Sequence, residues 1–272
     1  MRLIKETCVA GSTIDVSYRI NSPKKKGEKR TAKEEVTPEK VQKINDRNAE
    51  KALTRILNHN FVPGDWHNVF TYAGKEPSAK EAKKHREDLC RDLNKLARKK
   101  GIIMKYVYVT EYKHDRIHHH IVHTYLPHEE VQALWPHGDV RPTAMKRNRN
   151  YKRLASYLIK ETTKTFRQEC SPFKRRYGCS RTIERPEVRK EYVSFSNLAE
   201  DPKPLAGYYI DQDTVRRGTH EVTGYPYLDY MMISLTEEPR IKKWRRGKKV
   251  SHQQNYNYLL RGIGVEEQID FL

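Results

Sequence analysis

Cysteine is scarce in this chain: Cys8, Cys90, Cys170 and Cys179 are the 4 present in 272 residues, and none stands in a CxxC spacing. That pattern excludes a disulfide framework and a zinc ribbon. Cys170 and Cys179 offer only a weak pairing with histidine around a metal. Long apolar runs are missing too, since no stretch approaches the ~20 residues that span a bilayer. Met1 to Ala10 is too short and too polar for a secretory signal, so a cytoplasmic protein with no membrane partner is expected. Only 36% of the residues are apolar, yet the length allows a real core. No internal repeat is visible.

Acidic residues are the other shortage. Against 54 Lys+Arg stand 35 Asp+Glu, a formal net charge of +19. Such a surplus attracts polyanions, and counterion release makes the binding salt-sensitive. The charge gathers at Lys24–Lys26 with Lys29 and Arg30, at Lys146 through Arg153, at Lys174–Arg176, and at Lys242–Arg246 with Lys248 and Lys249. Any one cluster is more often a solvated loop than a binding site. The second ranks first because it leads straight into a candidate catalytic helix, which makes Lys146, Arg147, Arg149, Arg153 and Lys164 the expected DNA contacts. The 17 tyrosines include candidates for base stacking, although most tyrosines in a folded chain are structural.

Against that background, Arg116-Ile117-His118-His119-His120-Ile121-Val122 is the most informative stretch. Side chains alternate faces along a strand, so His118 and His120 share one face and His119 takes the other. Imidazoles so placed can reach one divalent cation, although the spacing does not choose among metals. A surface strand with no ligand is the bland alternative. Met104 to Tyr112 and Ile117 to Tyr125 are rich in β-branched and aromatic residues and read as a hairpin. With His114-Asp115 as the turn, Glu111 falls opposite His118 and Val109 opposite His120. Glu111 then joins the histidines, and two imidazoles with a carboxylate suit a hydrolytic or transfer site. A one-residue slip would turn Glu111 away and leave it a solvated hairpin charge. His119 and His123 belong to the opposite face, against a helix or DNA.

A nucleophile comes from Asn150 to Lys164, which has helical spacing. At ~100° per residue, Leu154, Ala155, Leu158 and Ile159 form an apolar stripe. Tyr157 lies outside it, beside Lys160 and Lys164, with Arg153 nearby. Core packing is the usual role of a helical tyrosine, but this one sits on the basic side. A phenol needs activation to attack phosphorus, and the adjacent lysines are expected to favour phenolate and hold the scissile phosphate.

The histidine triplet followed by Tyr157-Leu158-Ile159-Lys160 resembles the HxH and YxxK signatures of HUH-superfamily rolling-circle replication initiators, the replication-associated proteins of phages, plasmids and bacterial integrative elements. Asn60 to Asp65 leading to Val69-Phe70-Thr71-Tyr72 is similar to their first motif, although Val69 stands where a second threonine is usual. Tyr177 to Pro186, Thr223-Gly224-Tyr225 and Tyr227 to Tyr230 are similar to their later segments, so the likeness spans roughly Arg47 to Leu235. It implies that His118 and His120, with Glu111 as a third ligand, hold Mn²⁺ or Mg²⁺. Tyr157 would attack single-stranded or hairpin DNA at a replication origin, leaving a 5′-phosphotyrosine link and a free 3′-hydroxyl, while Lys160 steadies the phosphate. A host helicase and polymerase are the further partners implied. Some relatives use two tyrosines. Tyr151 lies six residues before Tyr157, ~240° away around a helix, and is not counted as a second. A single-tyrosine transposase or conjugative relaxase would use the same chemistry, and a non-catalytic basic DNA-binding regulator is the reading from a different class.

The expected fold is α+β, a central antiparallel sheet with flanking helices of HUH-endonuclease type. Residues 1–37 read as an N-terminal hairpin (Arg2 to Val9, Thr13 to Ile20) and basic loop, 38–236 as the catalytic domain, and 237–272 as a basic tail. Helices are predicted from Pro38 towards His59, from a Ser78/Glu81 capping box to Lys100-Gly101, and over Pro127 to Leu134. Strands are predicted at Lys190 to Phe195 and Tyr227 to Leu235.

Overall fold

The computed structural model of the chain describes residues 1–21, 39–113, 116–146, 150–166 and 175–236. The elements begin with β1 (Arg2–Ala10), β2 (Thr13–Asn21), α1 (Glu39–Asn60), β3 (Trp66–Thr71) and α2 (Ala79–Lys99). There follow β4 (Tyr106–Lys113), β5 (Arg116–His123), α3 (His128–Ala133), β6 (Val140–Ala144) and α4 (Lys152–Phe166). The described chain closes with β7 (Gly178–Cys179), β8 (Val188–Val193), α5 (Ser196–Ala199), β9 (Tyr208–Thr219) and β10 (Pro226–Ser234). The class is α+β with antiparallel pairing, as expected. There are, however, two five-stranded sheets rather than one, ordered β8-β1-β2-β10-β9 and β6-β3-β5-β4-β7.

The chain divides accordingly into two packing units, which are not contiguous in sequence. One gathers Met1–His59, Arg149–Lys152 and Arg185–Lys242; the other holds Asn60–Asn148, Arg153–Glu184 and Lys243–Leu272. In the first unit the N-terminal hairpin is no appendage. β1 pairs with β8 and β2 pairs with β10, so both outer edges of the hairpin are satisfied by backbone from the far end of the described chain. Leu3, Ile14, Val16, Tyr208, Leu228 and Met232 make its core. Helix α1 is tied to this sheet by buried charge: Arg55 donates to Asp15 at 2.7 Å, and Lys51 reaches Asp15 at 3.3 Å and Asp229 at 2.9 Å. Gly11, at φ +55, closes the β1–β2 turn where a Cβ would collide with the backbone of Asn58.

In the second unit, α2 starts at the predicted capping box. The Ser78 side chain accepts from the Glu81 amide, and the Ser78 amide donates to the Glu81 carboxylate. One face of the sheet packs Phe70 and Ile121 against Leu89 and Leu93 of α2 and Val131 of α3. Two strands escaped the pattern reading, and both are edges. β6 contains Pro142, which sits where one ladder partner is missing. β9 borders the first sheet, and most of its residues are exposed or half-exposed, so no apolar alternation marks it. No helix among the described residues is long and apolar enough to cross a membrane.

Candidate active site

The site is built on β5, the middle strand of the second sheet. Pairing with β4 places Glu111 opposite His118 and Val109 opposite His120, the predicted register. The turn residues His114 and Asp115 lie outside the described residues. On the other side of β5, β3 sets Thr71 opposite His118 and Val69 opposite His120. Directly opposed residues share a face, so His67, Val69, Thr71, Glu111, His118 and His120 are on one side of the sheet. His119, His123 and Phe70 are on the other.

The two faces treat histidine differently. His119 is fully buried, with Nδ1 3.0 Å from the Thr110 hydroxyl and Nε2 2.9 Å from the Tyr72 hydroxyl. Burial first, then the Arg86 guanidinium, pushes its pKa well below the usual histidine value. His123 is likewise closed: Asn68 lies at 3.0 Å from Nε2 and the Thr124 carbonyl at 2.8 Å from Nδ1, and burial lowers its pKa to about 4. Both are satisfied core histidines against the helix-covered side.

On the opposite face, His120 Nε2 lies 3.1 Å from Glu111 Oε2, and its Nδ1 lies 3.2 Å from His67 Nε2. The His67 and His120 rings stack at 5.4 Å between centroids and 21° between planes. Burial, followed by the neighbouring His120, lowers the His67 pKa to about 4. His118 is only half-buried, yet its Nδ1 is shielded and makes no hydrogen bond of ordinary geometry. Its pKa falls through burial, with Glu111 and the Arg116 backbone opposing the shift.

Helix α4 brings the phenol to this face. Ala155, Leu158 and Ile159 are buried and hold the helix down, whereas Arg153, Tyr157 and Lys160 are exposed. The Tyr157 ring stands edge-on to the His120 ring, with centroids 5.6 Å apart and planes at 82°. One expectation is overturned here. The Tyr157 pKa is raised, by burial first and then by the carboxylates of Glu111 and Glu161, so without a bound cation the neighbourhood favours phenol rather than phenolate. The lysines lie outward on the helix, while the carboxylates face the hydroxyl. Tyr151 is buried at 7% exposure and belongs to the first unit.

The donor set was weighed against a divalent cation. Two adjacent ligands at ~2.1 Å in an octahedral shell sit ~3 Å apart, close to the 3.1 Å between His120 Nε2 and Glu111 Oε2. Those two atoms fit one ion, and the unpartnered Nδ1 of His118 lies on the same face. No three His, Cys, Asp or Glu side chains among the described residues converge tightly enough to form a complete metal site. Of the expected DNA contacts, Lys146 and Arg153 are exposed. Arg147, Arg149 and the side chain of Lys164 lie outside the described residues, as do the basic clusters at 24–30 and 242–249.

Sequence reasoning missed His67. Its signal was present, because Trp66-His67-Asn68-Val69 alternates and places His67 on the face of Val69, diagonal to His120. The segment after α4 proves to be a brace for β4. Gly178 leaves no room for a Cβ against the Tyr108 ring, and Ser180 Oγ accepts from the Tyr106 amide at 3.1 Å. Asn60 exchanges two hydrogen bonds with the Glu184 backbone, at 2.7 and 2.9 Å.

Residues 67–166 match a family of replication-associated proteins, the ORF2 type. The matched stretch opens at His67 and runs through the histidine triplet to the end of α4, so it contains every residue of the site. No curated protein and no solved structure matches the chain.

Proposed function

We propose that this chain, whose residues 67–166 match the replication-associated protein family, starts rolling-circle DNA replication by cutting and rejoining one DNA strand through Tyr157. The observation that carries the reading is the contact of the Tyr157 ring with His120, whose Nε2 is in turn held by Glu111. A nucleophile, a nitrogen donor and a carboxylate thus meet on one sheet face, within the matched stretch.

In this reading the Tyr157 hydroxyl oxygen forms a bond to phosphorus of a single-stranded origin, and the P–O3′ bond breaks. The products are a 5′-phosphotyrosine and a 3′-hydroxyl that primes synthesis. The phenol proton must leave as the bond forms, and Glu111 and Glu161, the charges that the hydroxyl feels most, are the acceptors at hand. The departing 3′ oxygen takes up a proton. Reversal of the same step rejoins the strand without external energy. His120 Nε2 and Glu111, with His118 on the same face, would hold a divalent cation, Mn²⁺ or Mg²⁺. Such an ion supplies positive charge at the phosphate when bound. Lys160, one turn beyond Tyr157 and exposed, steadies the phosphate, and Lys146 and Arg153 draw in the backbone.

The test is incubation with single-stranded origin oligonucleotides and Mn²⁺, followed by denaturing electrophoresis. A covalent protein–DNA adduct that is absent in Tyr157→Phe is expected. A Tyr157→Phe protein that still forms the adduct would end this assignment of the nucleophile.

A further inference from the structure

We infer that His67 is a positioning residue that decides which nitrogen of His120 carries the proton, and that the two rings exchange tautomers when a divalent cation binds. The inference rests on the metal reading of His120 given above.

The argument begins with hydrogen-bond bookkeeping. A neutral imidazole has one N–H and one lone pair. An ionised Glu111 can only accept, so at 3.1 Å from Oε2 the Nε2 of His120 carries the hydrogen. Its Nδ1 is then a lone pair, and the nitrogen facing it at 3.2 Å, His67 Nε2, must be the donor. This arrangement points a proton at the place where a cation would sit, so His120 cannot ligate in it.

Ligation through Nε2 requires a lone pair there, which moves the hydrogen of His120 to Nδ1. That nitrogen becomes a donor, and the His67 nitrogen opposite must turn acceptor. His67 can do so by passing its Nε2 proton across the 3.2 Å bond to His120 and taking one from solvent at Nδ1. The His120 Nε2 proton leaves to solvent through Glu111. Two N–H groups are present before and after, and no net proton is released by the pair. A backbone carbonyl in the place of His67 could only accept, and a lysine could only donate. An imidazole serves both states, which suits a site that must also be held closed when no ion is bound. The stacked rings, 21° apart, keep the two nitrogens facing each other throughout.

Mn²⁺ affinity of the full chain without DNA, followed by electron paramagnetic resonance, tests this together with ¹⁵N imidazole spectra. His67→Phe keeps a stacked ring and removes the nitrogens, and about ten- to a hundredfold weaker Mn²⁺ binding is expected, with unchanged circular dichroism. His67→Gln, which can donate or accept, should recover most of the loss. On adding Zn²⁺, a diamagnetic ion, the ¹⁵N signals of His67 and His120 should both change from Nε2–H to Nδ1–H. Equal Mn²⁺ affinity in His67→Phe and wild type, or a His67 signal that does not move, overturns the relay. If His120→Ala binds Mn²⁺ as tightly as wild type, or wild type binds none, the metal reading falls and the relay with it.

Discussion

The two faces of the second sheet use the same residue for opposite ends. Beneath α2 and α3, His119 and His123 have both ring nitrogens engaged and behave as structural joints. Across the same strand, His118 keeps a shielded nitrogen without a partner, and His120 is clamped between His67 and Glu111 with a tyrosine at its edge. Burial alone does not separate them, since His120 is 4% exposed and His119 0%. The difference lies in the partners. Hydroxyls, an amide and a carbonyl saturate a ring, whereas a carboxylate beside a ring leaves negative charge that a cation can answer.

The sharpest way to break this contrast is at the phenol. Tyr157→Phe should abolish covalent adduct formation on gels while moving the unfolding midpoint little, because the side chain is 43% exposed. Next comes the pair that defines the contrast. His120→Ala is expected to slow cleavage by on the order of a hundredfold or more with DNA binding retained. His119→Ala should instead cost about 2–4 kcal/mol of stability in urea unfolding, because the Tyr72 and Thr110 hydroxyls lose their partner. If the two variants showed the same balance of activity and stability, the faces would not differ in role.

Smaller effects sharpen the picture further out. Arg153→Ala should weaken single-stranded DNA binding and reduce the slope of log affinity against log salt by about 0.7, the value for one phosphate contact. Fluorescence anisotropy across a salt series reads it.

Asp65 extends the comparison to a carboxylate. It is wholly buried, accepts from the Val62 and Tyr125 amides, and burial raises its pKa from 3.8 to about 7. With the folded value above the unfolded one, its contribution to stability is complete below about 3.8 and is lost as pH rises through about 7. Asp65→Asn removes that titration. The melting-temperature gap between wild type and variant should therefore narrow from pH 4 to pH 8, and a constant gap would contradict the raised value.

Much of the site was legible because its geometry is local. A two-residue turn and strict alternation set Glu111, His118 and His120 on one face, and a helical stripe put Tyr157 outside the core. His67 was not legible, since it meets His120 only through a third strand whose place in the sheet no periodicity announces. The carboxylate surroundings of Tyr157 were hidden for the same reason: Glu111 reaches it through space, while the lysines beside it in sequence project outward. In the fold, hairpins and the capping box of α2 follow from neighbours, but the first sheet joins β1 and β2 to strands near the other end of the described chain. Pairing over such separation leaves no short-range mark, and the polar edge strand β9 leaves none at all.

That long-range pairing carries a consequence for synthesis. Every strand of the second sheet, and α4, has been made once Cys179 is added, whereas β2 waits for β10. The newborn chain should therefore complete its histidine-bearing half while the N-terminal hairpin still shows an open edge, a window in which chaperones or a second nascent chain can reach it.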